Sequence, residues 1–153
     1  TGLPAELLEL ELTESLIMED MDQNIALLER LRARGVGLSL DDFGTGYSSL
    51  TYLKRMPIQH IKIDKQFVQD LLTNDDDTRI ANTIIDLGRS LNLSVIAEGV
   101  ETHEQEFYLR QRGCQIAQGY HFSRPLTPEA FQEFVAQFHG NLEENVDNPQ
   151  YNR

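Results

Sequence analysis

The stretch LRARGVGLSLDDFGTGYSSLTYLKRMPIQHIKID, residues 31–64, encodes two strands and the connection between them. Val36, Leu38 and Leu40 alternate with Gly37, Ser39 and Asp41, and Ile61 and Ile63 alternate with Lys62 and Asp64. Successive side chains of a strand point to opposite faces, so each segment presents one apolar and one polar face. The pattern predicts strands over Val36–Asp41 and Gln59–Asp64, with a helix near Ser49–Arg55 and Pro57 punctuating the return. Polar chains from both strands then share one face.

The same alternation extends outward in both directions. Upstream, Leu8, Leu10 and Leu12 alternate with Glu9, Glu11 and Thr13, which predicts a strand over residues 7–12. A helix from about Asp22 to Arg34 places Ile25, Leu28 and Leu31 at helical intervals. Its Arg30, Arg32 and Arg34 sit before Gly35, where the helix dipole favours cations, so they read as a solvated helix end rather than a phosphate patch. Downstream come a helix over Thr78–Leu91, a strand over Leu93–Glu98, a helix over His103–Arg112 stopped by Gly113, and a strand over Gln115–Phe122. Thr127 can cap a final helix that Pro128 opens. The run Asp75-Asp76-Asp77 lacks the ligand spacing of a calcium loop and reads as a solvated turn capping the helix after it. Five strands alternating with five helices predict parallel strands joined by right-handed crossovers, either in an open doubly wound sheet or in part of a barrel. Element order by itself leaves both open.

The chain has 153 residues, enough for one domain with one core. Its 13 Lys and Arg against 25 Asp and Glu give 13 − 25 = −12, a field that disfavours a DNA or RNA polymer or an anionic membrane surface as partner. A single cysteine, Cys114, excludes an internal disulfide framework and reads as a buried, inert thiol. No stretch approaches the roughly 20 apolar residues of a membrane span, and the opening Thr1-Gly2-Leu3-Pro4 has no signal-peptide pattern and no initiator methionine. Residues 1–138 are expected to form the folded part. Residues 139–153, poor in apolar side chains, are expected to form a frayed acidic tail.

Glu11, Asp41, Lys62, Glu98 and Gln118 all fall at or near C-terminal strand ends. In parallel α/β folds this edge gathers ligands, because loops converge there while the sheet holds their bases fixed. Taken singly, each residue has a plainer reading: Asp41-Asp42-Phe43-Gly44 as a turn, Glu11 or Glu98 as a helix cap, Lys62 as a counter-charge. Five strand ends contributing compatible polar groups outweigh those readings. Carboxylates brought together raise one another's pKa, and one lysine cannot neutralise the set, whereas divalent cations can. Oxygen ligands suit Mg²⁺ or Mn²⁺, and His60, His103, His121 and His139 form no i,i+4 pair of the metal-binding type. Two such ions roughly 3.5–4 Å apart would activate a water and stabilise the departing oxygen of a phosphodiester.

Glu11-Leu12-Thr13-Glu14-Ser15, the run from Asp41 to Leu50, Lys62-Ile63-Asp64, Ala97-Glu98-Gly99-Val100-Glu101 and Gln118-Gly119-Tyr120 through Pro125-Leu126 closely resemble the EAL-domain family, in order over residues 3–138. The resemblance implies a partial TIM-like (β/α) barrel, an α/β fold with five β/α units present. It also implies hydrolysis of the bacterial second messenger cyclic di-GMP to linear pGpG with two Mg²⁺ or Mn²⁺ ions. By motif position Glu11, Asp41, Asp42 and Glu98 are similar to the family's metal ligands. Lys62 resembles the lysine that hydrogen-bonds the attacking water, Glu98 a candidate general base, and Gln118 the glutamine that positions a water. Glu14 is similar to the glutamate anchoring the loop Phe43–Ser49, and Glu101 to a further site-supporting acid. The family also implies a homodimer, a cytoplasmic site of action with a parent that can be membrane-tethered, and sensory or GGDEF domains elsewhere in the parent chain. The upstream Glu-Ala-Leu signature, a metal-ligating asparagine and an arginine for substrate phosphate have no counterpart in this chain. Without those ligands the fragment alone is expected to be inactive, and a degenerate receptor that binds cyclic di-GMP without cleaving it is the competing reading. A barrel without its first strands would also expose two sheet edges, which predicts a truncated product or a rearranged association.

Overall fold

A computed structural model describes residues 2–13, 21–44 and 50–146 of the chain. The chain divides into two compact units, Thr1–Phe122 and Ser123–Arg153. In the first unit, five strands form one sheet: β1 (Glu9–Thr13), β2 (Gly37–Phe43), β3 (His60–Ile63), β4 (Ser94–Glu98) and β5 (Ile116–Gln118). Every pairing is parallel and the spatial order is β1-β2-β3-β4-β5. A doubly wound sheet reverses its strand order at a switch point, whereas a (β/α) barrel adds strands sequentially. The observed order contains no reversal, so the choice left open by the sequence falls to the barrel type.

The helices are α1 (Met21–Arg32), α2 (Leu50–Leu53), α3 (Lys65–Gln69), α4 (Asp75–Leu91) and α5 (His103–Gln111), with α6 (Pro128–Val146) in the second unit. The five-residue α3 was not anticipated. Asp64 caps it by accepting from Gln66 N at 2.7 Å, and Phe67 and Val68 are its buried residues. The acidic run is likewise inside a helix rather than before it. Asn74 accepts from Asp76 N as the cap, so Asp75, Asp76 and Asp77 fill the first turn of α4, where the dipole favours anions. Strand β5 is shorter than the predicted Gln115–Phe122, because the chain turns at Gly119 and bonds back across the sheet edge: Val100 N donates to Gln118 O at 3.1 Å and His121 N to Val100 O at 2.9 Å. A Cβ at Gly119 would collide with the Val100 backbone, so this close approach requires glycine. β1 starts at Glu9 because residues Ala5–Leu7 form a 3-10 turn. In α6, Thr127 Oγ1 accepts from Ala130 N, and the helix runs past His139 to Val146.

Leu38, Leu40, Ile61 and Ile63 are buried between the sheet and its helices, with Val68, Leu71, Ala81, Ile84 and Ile85 packed above them. Cys114 is buried in this core, with Sγ 3.3 Å from Val95 O. Burial pushes its thiol up to about 11, against the pull of two backbone hydrogen bonds, consistent with an inert thiol. Gly88 lets α4 lie directly on β4, since a Cβ there would run into the Val95 side chain. Gly88→Ala should therefore destabilise the fold by about 1–3 kcal/mol through overpacking, despite the better helix propensity of alanine. Urea denaturation checks this, and an unchanged midpoint would show that α4 lifts freely off the sheet.

Candidate active site

The parallel register sets which side chains meet. Glu11 pairs with Ser39, Thr13 with Asp41, Lys62 with Ile96 and Glu98 with Gln118. Paired residues of parallel strands project to the same face, so Glu11, Asp41, Lys62, Glu98 and Gln118 line one side of the sheet together with Ile96 and Ile116, while Leu38, Leu40, Ile61 and Ile63 line the other.

Lys62 is the centre of the constellation. Its side chain is only 4% exposed, and Nζ lies 2.6 Å from Glu11 Oε1, 2.7 Å from Glu98 Oε1 and 3.1 Å from Asp41 Oδ1. Burial alone would lower the ammonium's pKa. Hydrogen bonds to Glu11, Glu98 and Asp41 overcome it, so the net shift is upward and the lysine is held charged. Three carboxylates around one ammonium leave excess negative charge. Asp42 registers that excess: its carboxyl is pushed above the ordinary aspartate value by the hydrogen bond it shares with Asp64, by burial, and by the charges of Asp41, Asp64 and Glu98. Asp42 also holds a left-handed φ of 54°. Aspartate tolerates that region better than most residues, at a cost of order 1–2 kcal/mol.

The acids meet at the lysine rather than closing a cage of their own. Among the described residues, Ser39 Oγ is buried without a hydrogen-bond partner, and the buried Asp41 Oδ1 has Lys62 Nζ, at 3.1 Å, as its polar contact. A buried carboxylate oxygen with spare acceptor capacity, a neighbouring carboxyl pushed upward by the surrounding acids, and donors that are all oxygen fit a hard divalent cation.

Gln118 ends β5 beside Glu98 and is exposed. Glu101 follows on the β4–α5 connection, where its N–H donates to Gln105 Oε1 at 2.8 Å, its carboxylate remaining exposed. Gln105 in turn completes the capping box of α5 with Thr102 and donates to Val68 O and Gln69 O, fixing this connection against α3. A cavity of about 280 Å³ opens here, lined by Lys65, Glu98, Glu101, Gln118 and Tyr120 among others. A larger hollow of about 360 Å³ lies at the other end of the strands, near Arg89, Asn92 and Ser94, and contains none of the predicted site residues. Glu11, Asp41, Lys62 and Glu98 are thus joined in direct contact, with Asp42, Glu101 and Gln118 at the same strand ends. Glu14 and loop residues 45–49 lie outside the described residues.

Asp64 is the member that sequence reasoning passed over. Its strand parity was legible, but its double task, capping α3 while sharing a hydrogen bond with Asp42, required knowing that a helix starts at Lys65.

The fold and rim define a parallel (β/α)-barrel-type protein whose C-terminal strand ends carry a lysine-centred acidic site. The EAL domain profile matches residues 1–125, and the chain belongs to that family. It is 52% identical over 134 residues to cyclic di-GMP phosphodiesterase NbdA of Pseudomonas aeruginosa, covering 88% of this chain and 17% of that protein. It is 50% identical over 127 residues to the bifunctional diguanylate cyclase/cyclic di-GMP phosphodiesterase MucR of the same organism, covering 83% and 18%. Among solved structures, the PaMucR phosphodiesterase in complex with c-di-GMP superposes with a TM-score of 0.81 at 49% identity, over 84% of this chain and 52% of that one. The manganese/cy-diGMP complex of Klebsiella pneumoniae BlrP1 gives 0.73 at 36% identity, over 81% and 32%. The chain therefore spans about a sixth of these curated relatives, and 52% and 32% of these solved chains. EAL neighbours of this type are TIM-like barrels, and the five strands here are part of one. Among the described residues, no helix is long and apolar enough to cross a membrane.

Proposed function

We propose that this chain supplies the C-terminal part of the active site of a cyclic di-GMP phosphodiesterase, which hydrolyses one phosphodiester of the cyclic dinucleotide to give linear pGpG. The observation that carries this reading is the gathering of Glu11, Asp41 and Glu98 around Lys62 at one rim, with Asp42 beside them under electrostatic strain. Support also comes from the names and bound ligands of the relatives described above.

In this reading Glu11, Asp41, Asp42 and Glu98 hold two divalent cations, Mg²⁺ or Mn²⁺. Such ions, when bound, supply charge neutralisation at the phosphoryl group and a water made acidic enough to attack at neutral pH. Lys62, fixed by three carboxylates and permanently charged, donates a hydrogen bond that orients the attacking oxygen. Glu98, adjacent to it, is placed to accept a proton. Gln118 positions a water from the end of β5, while Glu14 anchors the Phe43–Ser49 loop and Glu101 supports the β4–α5 connection. Cations also resolve how an acidic protein receives a dianionic ligand, since they reverse the local field. A homodimer, a cytoplasmic site of action, and sensory or GGDEF domains in the parent chain complete the proposal.

The test is an assay of an EAL domain of full family length carrying these residues. Production of pGpG should require Mg²⁺ or Mn²⁺ and stop on adding EDTA. Tight cyclic di-GMP binding without turnover, retained in chelator, would instead support an inactive receptor.

A further inference from the structure

A second group of ligating side chains lies outside the acidic rim. His103, Glu106 and His121 each offer one ligand atom, and these atoms lie within 4.8 Å of one another. Glu106 Oε2 is 3.3 Å from His103 Nδ1 and 3.5 Å from His121 Nε2. Donor atoms at about 2.0–2.2 Å from a tetrahedral zinc ion are separated by about 3.3–3.6 Å, so both histidine–glutamate spacings already match.

Two independent pieces of backbone bring these residues together. His103 and Glu106 stand at i and i+3 on one face of α5, whose start is fixed by the Thr102 and Gln105 capping box. His121 arrives from the turn after β5, which is held by its own N–H to Val100 O. Its ring meets Phe122 edge-on at 5.1 Å, and the two imidazoles stand 6.1 Å apart with the carboxylate between them. Glu106 and His121 are 27% exposed and His103 is 73% exposed, so the group is supported from beneath and open to solvent above.

We propose that His103, Glu106 and His121 form a binding site for a late divalent transition metal of the zinc class, with a fourth position open to water. Two imidazoles and one carboxylate are the donor set of open zinc sites. Nitrogen donors rank zinc, nickel and copper well above magnesium or manganese, so this site and the all-oxygen rim select different ions. A metal here also ties the turn after Gln118 to the helix following Glu98.

The experiment uses the whole chain, stripped with chelator and returned to excess Mg²⁺ to satisfy the rim, then titrated with Zn²⁺ by calorimetry and with Co²⁺ by visible absorption. One Zn²⁺ per chain should bind, and the Co²⁺ spectrum should report nitrogen ligation. Loss of outer-shell partners alone costs metal sites about 10–100-fold, so His121→Ala and Glu106→Gln should each weaken Zn²⁺ binding at least about tenfold. His103→Ala, at a position 73% exposed, should do the same, while Asp41→Asn should leave it intact. Absence of Zn²⁺ binding would overturn the proposal and leave a surface histidine–glutamate ion pair. So would binding that survives all three substitutions, or that Mg²⁺ or Asp41→Asn removes.

Discussion

Glu98→Gln in an EAL domain of full family length is expected to reduce cyclic di-GMP hydrolysis by at least about 10²–10⁴-fold while leaving the fold intact. The substitution keeps the side chain's shape but removes a negative charge that contacts Lys62 at 2.7 Å and raises the pKa of Asp42. In the proposed function it therefore withdraws both a cation ligand and the group that accepts a proton. Loss of a positioned acid or base alone typically costs 10² to 10⁴ in rate, as an order of magnitude. The glutamine oxygen can still accept from Lys62, so the melting temperature should move little. Hydrolysis within a few-fold of the parent domain, measured as pGpG released at saturating Mg²⁺, would remove Glu98 from the chemistry.

Lys62→Met should do more, because it affects stability as well as rate. Methionine fills a similar volume but leaves Glu11, Asp41 and Glu98 gathered around no cation. Breaking a fully buried ion pair costs about 3–5 kcal/mol. Glu11 is 54% exposed and screened by water, so a loss of about 2–4 kcal/mol is expected here. Added Mg²⁺ should restore more stability to the variant than to the parent, by supplying the lost positive charge. The sign of the pH dependence follows from the upward shift. A lysine held above its ordinary value of about 10.4 contributes stability that is fully present below that pH and lost only as pH rises through the folded value. The stabilisation by Lys62 should thus be constant through the neutral range and fade only in strong alkali. Lys54→Met, at an exposed position, is the control. Equal melting of the two variants would mean that the carboxylates relax away from one another at no cost.

The candidate site was legible because parallel strands impose a simple rule. A period-two pattern tells which side chains share a face, and the end of each apolar run tells which of them reach the rim. Glu11, Asp41, Lys62 and Glu98 could be grouped on that basis, and they do converge. Boundaries were less legible. The turn at Gly119 depends on a backbone approach to Val100 that is remote in sequence, and α3 is too short to show a helical period. The capping role of Asn74, one residue ahead of three aspartates that are themselves good caps, was hidden by its neighbours.

The sequence by itself determined the class of fold, the sharing of polar positions on one face, and membership of a family whose motifs run in order through the chain. Those are local or strictly ordered signals, carried by side-chain period and spacing. Only the tertiary structure decided that the strands add sequentially instead of reversing, that one buried lysine gathers three acids, and that His121 meets His103 and Glu106. Each of these depends on contacts between residues far apart along the chain. Neither periodicity nor composition contains them, because they arise when the crossovers close and the loops at the strand ends are brought side by side.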